Sequence, residues 1–467
     1  MNLLCLVILL AGTFLHAADW PRFRGPNGTG IDTTSTNLPT EFSPTKNNVW
    51  KSAVPFGRSS PVIVGNRLFL TASEGEMLVT LCYDTRNGRL LWRRDVKRVH
   101  NQKVFRANDA ASPSATADAT AVYVFFADLG LIAYTHDGKE LWRHPLGPFD
   151  NFYGMSSSPV VEGETVVLLC DHNAGSFLLA VDKTTGKQRW KTERPGMAMG
   201  WSIPMIHTPA SGPREVIVTG TTRIDAYYLA TGERRWWFPI GSEGSMGTPV
   251  WNGDSLLVAS SGHDASQPWV PPFPETLGKY DTDKDGKLSS VEFQAYKDWA
   301  EHFGWIDADK NGFIDAAEWK TVSEFGTGEY GVVSLKPGST LGQLPATATT
   351  WRMKKNLPYV PAPVLYKGVY YMVKDGGIVT SLNPETGEVL KQGRAATSLG
   401  EYLASPVAGD GKIYLLSEEG KLTVLKAGGE WEVITVNDMG EESYATPAIK
   451  DGRIYVRTKS MLYCFGK

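Results

Sequence analysis

The feature that most constrains the fold of this chain is a repeated unit of about four short apolar segments. Its clearest copy, Ser157–Lys191, reads SSPVVEGETVVLLCDHNAGSFLLAVDKTTGKQRWK. Polar and apolar residues alternate with a period of two and glycine-containing turns separate the segments, which is typical of antiparallel strands. One four-stranded sheet is too small to bury both of its faces. The copies must therefore pack against one another.

A proline near the start of each unit marks the copies. The markers are Pro61, Pro113, Pro159, Pro204, Pro249, Pro363, Pro406 and Pro447. The gaps between them are 52, 46, 45, 45, 114, 43 and 41 residues. A period in the forties with four strands per unit is characteristic of a β-propeller. Eight markers predict eight blades, and seven blades is the main alternative.

A tryptophan closes most units after a turn of the type Asp182-Lys-Thr-Thr-Gly186. It recurs at Trp92, Trp142, Trp190, Trp236, Trp351 and Trp431, and is missing from the sixth copy. The eighth copy, Thr446–Lys467, stops before its tryptophan strand, and Asn48–Val54 resembles the missing strand. Pairing the two would remove the exposed edges of an open array. The sequence thus predicts an all-β, eight-bladed propeller of four-stranded antiparallel blades, closed by the N- and C-terminal strands.

The fifth copy is interrupted by an insertion. Its gap of 114 residues exceeds the neighbouring 45 by 69, and the excess falls between the predicted strands Ser255–Ser260 and Gly331–Leu335. Helix-period sequence occurs here and nowhere else in the mature chain. We therefore expect four parts: a signal peptide at 1–18, propeller at 19–262, a small α-helical insertion at 263–329, and propeller again at 330–467.

The insertion contains two segments that match the calcium loop of EF-hands. Loop positions one, three, five, seven, nine and twelve are Asp281, Asp283, Asp285, Lys287, Ser289 and Glu292 in the first, and Asp307, Asp309, Asn311, Phe313, Asp315 and Glu318 in the second. Ca²⁺ prefers six to eight oxygen ligands, which side chains and the backbone carbonyl at position seven would supply. An acidic surface loop would not repeat these offsets twice. We predict two Ca²⁺ sites.

The surroundings of the loops suggest further expectations. Residues 280–320 contain ten acidic residues and five lysines, a net charge of −5, so we expect partial disorder without metal. Phe293, Tyr296, Ala300 and Phe303 follow one face at helical spacing, which predicts a single helix shared by both loops. Strand order places the insertion on the face where the first strand of each blade begins, at the mouth of the central channel.

Composition and the N-terminus bear on location. A net charge of −3 argues against a nucleic-acid-binding protein, which would carry a basic face. The apolar run Leu3–Leu15, followed by His16-Ala17-Ala18, predicts a signal peptide and a secreted or periplasmic protein. This run lacks a preceding Lys or Arg, and an uncleaved membrane anchor is the alternative. No later segment of the mature chain is apolar enough to span a membrane.

Three cysteines, Cys82, Cys170 and Cys464, remain after removal of the signal peptide, so at least one thiol is unpaired. Cys82 and Cys464 occupy the place of Ala180 in the repeat. This match favours small buried packing residues over a disulfide.

The unit pattern SP-V-V-x-G followed by D-x-x-T-G-x-x-W resembles the repeat of pyrroloquinoline quinone (PQQ)-type β-propellers, including the BamB-like secreted group. Asp19–Gly30, DWPRFRGPNGTG, also resembles the opening of such secreted propellers. The resemblance implies the fold, and it leaves open a PQQ-dependent dehydrogenase or a BamB-like outer-membrane assembly scaffold. The vicinal cysteine pair typical of the alcohol dehydrogenases is absent, so we expect no PQQ.

No catalytic residue is assigned from the sequence. Asp171-His172-Asn173 and His263-Asp264 are expected near the channel, where polar loop residues are common. The function that the sequence favours is a secreted or periplasmic calcium-binding scaffold for protein partners of the cell envelope or extracellular space. We expect it to be monomeric and to bind no nucleic acid.

Overall fold

A computed structural model describes residues 18–100, 104, 108–173, 175–241, 247–262, 270–307, 310–324, 330–395 and 399–466. The predicted signal peptide lies outside these residues apart from Ala18, as do 263–269 and 325–329 at the ends of the predicted insertion. The domain boundaries therefore stay predictions. Eight antiparallel sheets form an eight-bladed β-propeller, in which the first strands of most neighbouring blades contact one another around the axis. The predicted fold class is confirmed.

Within each blade the four strands follow one another from the axis outwards. Blades 1 to 4 comprise Val62–Val64, Arg67–Glu74, Met77–Asp84 and Leu90–Lys97; Thr116–Ala117, Ala121–Phe126, Gly130–Thr135 and Glu140–Pro145; Val160–Glu162, Thr165–Cys170, Phe177–Asp182 and Gln188–Glu193; Met205–His207, Glu215–Thr219, Arg223–Tyr228 and Arg234–Pro239. Blades 5 to 8 comprise Val250–Asn252, Ser255–Ser260, Gly331–Leu335 and Thr349–Met353; Val364–Tyr366, Val369–Lys374, Ile378–Leu382 and Val389–Arg394; Val407–Gly409, Lys412–Leu416, Lys421–Lys426 and Glu432–Asp438; Ala448–Lys450, Arg453–Arg457, Met461–Phe465 and Asn48–Ala53.

The remaining elements are short. Gly342–Gln343 adds a fifth, parallel strand to the outer edge of blade 4. The α-helices are Phe273–Tyr280, Ser290–Phe293, Phe303–Ile306 and Ala316–Glu324, and the 3-10 turns are Pro26–Gly28, Ala300–His302 and Ala346–Ala348. The strands Leu288–Ser289 and Phe313–Ile314 form a separate two-stranded ribbon.

The two ends of the chain close the ring as predicted. Asn48–Ala53 pairs antiparallel with Met461–Phe465 and supplies the outer strand of blade 8. Trp50 lies opposite Cys464 in this pairing. Because the first ordered strand completes the last blade, no blade is left with three strands.

A tryptophan of one blade docks on a turn glycine of the next. The indole Nε1 of Trp142 donates to the carbonyl oxygen of Lys183 at 2.8 Å. Gly186 of that turn has φ +68°, and a Cβ there would lie 2.5 Å from the Trp142 ring. The same pairs recur as Trp50 with Gly88, Trp92 with Gly138, Trp190 with Gly232, and Trp351 with Gly387. These contacts explain why the turn glycine and the tryptophan repeat together in the sequence.

The assignment of Trp431 as the repeat tryptophan of blade 7 is wrong. Trp431 precedes the outer strand, and Thr435 takes the equivalent place, opposite Val424. In blade 6 that place belongs to Lys391, whose Nζ donates to the carbonyl oxygen of Trp431 at 2.6 Å. A lysine contact therefore replaces the tryptophan–glycine contact between blades 6 and 7.

The cysteines are packing residues. Cys82 lies opposite Trp92 and Cys464 opposite Trp50, the place where blades 2 to 6 carry alanine or serine. Both are buried and neither forms a disulfide, and Cys170 is likewise buried and free. Burial raises the pKa of the Cys82 thiol to about 12. The prediction of small buried residues is confirmed.

The tryptophan–glycine contact predicts a difference between two substitutions in blade 3. Gly186→Ala should destabilise the propeller through a strained φ, about 1 kcal/mol, and a clash with Trp142, about 1–3 kcal/mol. Gly163→Ala is the matched control, because Gly163 has φ +56° and open space around its Cβ position. Urea unfolding followed by tryptophan fluorescence should give a clearly lower midpoint for Gly186→Ala. Equal midpoints would contradict the docking role.

Candidate metal centre and axial cavity

The described part of the insertion, residues 270–324, forms a small helical module with its own core. Leu288 and Ile314 face each other in the two-stranded ribbon and are fully buried. Phe293 and Trp319 are also buried in this core. The ribbon joins the two candidate calcium loops at position eight, as the sequence predicts.

In the first loop three carboxylates converge. Oxygens of Asp281, Asp283 and Asp285 all lie within 4.8 Å of one another. One oxygen of Asp281 accepts a hydrogen bond from the N–H of Gly286 at 3.0 Å, whereas its Oδ1 is buried and has no hydrogen-bond partner. A buried, unsatisfied carboxylate oxygen among like charges is costly. A hard divalent cation would satisfy that oxygen and neutralise the repulsion, so the residues fit Ca²⁺.

Hydrogen bonds hold the rest of this loop in place. Glu292 accepts from the N–H and hydroxyl of Ser289 and from the N–H of Thr282, and these bonds lower its pKa to about 2. The pKa of Asp283 is raised: a hydrogen bond from the N–H of Asp285 opposes the rise, but desolvation and the neighbouring carboxylates outweigh it. The charge repulsion expected from the sequence is therefore present in the folded loop.

The second loop repeats the hydrogen bonds of the first. The N–H of Gly312 donates to Asp307 at 3.0 Å, as Gly286 does to Asp281. Glu318 accepts from the N–H of Asp315 at 3.0 Å, as Glu292 does from Ser289. The structure thus brings the predicted ligands into two equivalent loops, except for Asp309, which lies outside the described residues. The position-seven residues Lys287 and Phe313 lie at the expected places in the loops.

The prediction of one helix shared by both loops is wrong. The helix Ser290–Phe293 ends after one turn, and the chain continues through the 3-10 turn Ala300–His302 into Phe303–Ile306. The ring centroids of Phe293 and Phe303 are 5.7 Å apart, whereas ten residues of straight helix would separate them by about 15 Å. The break lets both rings enter the same small core.

The module docks on the propeller through aromatic and charged contacts. His302 stacks on Phe152 in the connection between blades 2 and 3, with ring centroids 5.0 Å apart. Trp305 packs against a small apolar cluster around Trp201. Lys310 forms an ion pair with Asp150 at 3.1 Å. The segment between the two loops, together with the start of the second loop, therefore meets the propeller.

A cavity of about 710 Å³ lies between the module and the propeller axis. Trp299, His302 and Trp305 of the module line it together with Ser60 and Ser158, which precede the first strands of blades 1 and 3. The module thus stands at the channel mouth, on the face that strand order predicts.

Hydroxyl groups form a belt around the axis, which sequence reasoning missed. The backbone N–H of one blade donates to the Ser or Thr hydroxyl of the next at 2.9–3.0 Å: Ser60 to Ser114, Ser114 to Ser158, Ala362 to Ser405, Ser405 to Thr446, and Thr446 to Ser60. The Ser or Thr at the repeat marker was the available signal. In blade 2 the equivalent residue is Ser114, so the marker Pro113 lies one residue before it rather than directly after it.

The N-terminal motif forms the floor of the cavity. It forms hydrogen bonds with four blades. The backbone of Trp20 pairs with that of Ile63, and the carbonyl oxygen of Pro21 accepts from the N–H of Ala117. The side chains of Asn27 and Arg24 donate to the carbonyl oxygens of Ile206 and Pro363. Phe23 lines the cavity from below. Arg24 is fully buried, and burial lowers its pKa to about 10. The sequence showed this motif only as a resemblance, without a structural role.

Asp171 and His172, two of the polar residues expected near the channel, form structural contacts. Asp171 is fully buried and forms a bidentate ion pair with Arg194 at 2.7 and 3.0 Å, and Arg194 also contacts Asp225 at 2.8 Å. His172 packs against the ring of Phe149. This network joins blades 3 and 4. His263 and Asp264 lie outside the described residues.

Comparison with known protein families shows the family to which this chain belongs. The family model described as outer membrane protein assembly factor BamB matches residues 40–236, 177–268 and 346–466, which together cover most of the chain. The chain belongs to this BamB family. An EF-hand model matches 275–295 and 301–323, the two loops described above. A comparison with curated proteins gave no match.

Solved structures show the same fold at low identity. BamB from Moraxella catarrhalis is 13% identical with a TM-score of 0.53, covering 89% of this chain and 96% of its own. Quinohemoprotein alcohol dehydrogenases from Pseudomonas putida HK5 and Comamonas testosteroni are each 13% identical with a TM-score of 0.58, covering 97% and 96% of this chain and 80% and 81% of theirs. Within the described residues no helix is long and apolar enough to cross a membrane.

Docking of the module through His302 predicts a local effect when this side chain is removed. His302→Ala should speed hydrogen exchange of the backbone amides at 299–306, because the stack on Phe152 is lost. His207→Ala is the control, since His207 stacks on Trp251 at 3.9 Å in the propeller, away from the module. Unchanged exchange at 299–306 in His302→Ala would show that this stack does not hold the module.

Proposed function

We propose that this BamB-family propeller is a secreted or periplasmic calcium-binding scaffold with one Ca²⁺ in each EF-hand loop. The observation that carries the proposal is the unsatisfied, buried Oδ1 of Asp281 amid the carboxylates of Asp283 and Asp285. The second loop supports it because it repeats the hydrogen bonds of the first. Two such loops joined by a ribbon are the usual unit of EF-hand proteins.

Each site would draw its ligands from the loop positions named from the sequence. Asp281, Asp283 and Asp285 would each supply a side-chain oxygen, Lys287 its backbone carbonyl, and Glu292 both carboxylate oxygens. Ser289 would contribute directly or through water. The second set would be Asp307, Asp309, Asn311, Phe313, Asp315 and Glu318. Two Ca²⁺ ions would reduce the charge of 280–320 from −5 to −1.

Calcium would serve the scaffold by fixing the module on the propeller. The residues that touch the propeller, His302 and Trp305, lie between the two loops, and Lys310 lies inside the second. Ordering both loops would therefore order the docking surface between them. We propose a constitutive structural role for the ions, with protein partners of the cell envelope as the ligands of the scaffold.

An outer-membrane assembly role is the more specific form of this proposal, because the family description names it. The dehydrogenase alternative rests on likeness of fold alone. PQQ is a tricarboxylate, whereas the charged residues that line the cavity within the described chain are Asp375, Glu401, Glu418 and one arginine, Arg58. Like charges would repel the cofactor, so the lining does not fit PQQ.

Calcium titration by calorimetry tests the proposal. The whole chain should bind two Ca²⁺, Asp281→Ala and Asp307→Ala should each bind one, and the double variant none. Saturating calcium should also raise thermal stability, by about 2.7 kcal/mol for each site at a hundredfold excess over Kd.

The matched control is Asp298→Ala, an exposed aspartate of the module outside both loops, which should still bind two ions. Calcium binding that survives in the double variant would refute the assignment of the loops.

A further inference from the structure

We propose that the axial cavity beneath the module is a binding site for a small organic cation with an aromatic or apolar body. Its volume of about 710 Å³ lies in the range of small-molecule sites. It has a floor at Phe23, a belt of hydroxyls around it, and the helical module beside its mouth. The site differs from the calcium loops in residues, place and ligand.

One wall of the cavity is aromatic. Trp299, His302 and Trp305 project from the module, and Phe152 and Trp201 from the connections leading to blades 3 and 4. These rings pack against one another, so their positions are fixed before a ligand arrives. A rigid set of aromatic faces binds apolar ring systems and attracts cations through the ring quadrupole.

The opposite wall is acidic. Asp375 lies between the second and third strands of blade 6, and Glu401 and Glu418 lie in the connections that begin and divide blade 7. Blades 3 and 7 are four places apart in a ring of eight, so the two walls face each other across the axis. Within the described part of the chain, neither Glu401 nor Glu418 forms an ion pair with a lysine or arginine. Both residues line the cavity, so their negative charge acts on this wall without neutralisation by a protein cation of the described chain.

The cationic residue of the described lining does not cancel this field. Arg58 lies 3.7 Å over the ring of Tyr444 and 4.0 Å from Asp109, so protein groups surround its guanidinium. Three carboxylates against one arginine give the described lining residues a net charge of −2. A ligand with its ammonium group near the carboxylates of blade 7 and its apolar body against the tryptophans would make favourable contacts with both walls. An anion of the same size would face the carboxylates.

The probe for the experiment is benzyltrimethylammonium, compared with benzyl alcohol and phenylacetate as the neutral and anionic analogues. Calorimetry on the whole chain in saturating calcium should show the cation binding at least about tenfold more tightly than either analogue. Quenching of tryptophan fluorescence should accompany its binding, because three tryptophans line the cavity.

Substitution of the acidic wall separates charge from packing. The double variant Glu401→Gln, Glu418→Gln should bind benzyltrimethylammonium about tenfold more weakly, and its affinity for benzyl alcohol should be unchanged. Glu432→Gln is the matched control, since Glu432 is exposed on the outer strand of blade 7, and it should change neither. Trp299→Leu should lower the affinity for the cation and for benzyl alcohol alike.

The proposal is overturned if the cation shows no binding at millimolar concentrations, or binds no better than phenylacetate. An unchanged affinity in the folded Glu401→Gln, Glu418→Gln variant would also overturn it. Loss of calcium binding in the loops with cation binding intact would contradict only the proposed calcium function, so the two failures are distinguishable.

Discussion

The contact between a tryptophan of one blade and a turn glycine of the next is the interaction on which the rest of the structure depends. It fixes the spacing of adjacent blades, since the indole fills the space that a Cβ at Gly186 would need. The same contact, Trp50 on Gly88, joins blade 8 to blade 1 and so closes the ring. Ring closure brings the first strands together around one axis, and the hydroxyl belt, the floor and the cavity follow from that arrangement.

Most of the architecture could be predicted because each unit repeats the same local pattern. The strands Ser255–Ser260 and Gly331–Leu335, and the pairing of Asn48–Ala53 with the last blade, agree with the sequence. The prediction for Trp431 was wrong because the sequence does not show whether a tryptophan near the expected place of the repeat is in register with the neighbouring strand. The residue in register is Thr435, opposite Val424, so Trp431 lies four residues ahead of it in the connection before the outer strand.

The candidate calcium loops could be predicted from the sequence because the ligands of each loop lie within twelve consecutive residues. The cavity could not be predicted, since its lining comes from blades far apart in the chain and from an insertion. Phe293 and Phe303 show why the module was only partly predictable: helical spacing is a local signal, and packing both rings into one small core outweighed it. The break in the helix is also what turns Trp299 and His302 towards the propeller.

In the proposed arrangement, a calcium-binding insertion stands at the mouth of a propeller whose channel is acidic on one side. A crystal structure grown with Ca²⁺, with anomalous difference density, tests this link most directly. We expect two peaks, each about 2.3–2.6 Å from the oxygens of Asp281 or Asp307, with His302 still stacked on Phe152. Loops without a peak, together with a peak in the axial cavity beside Glu401 and Glu418, would contradict the arrangement.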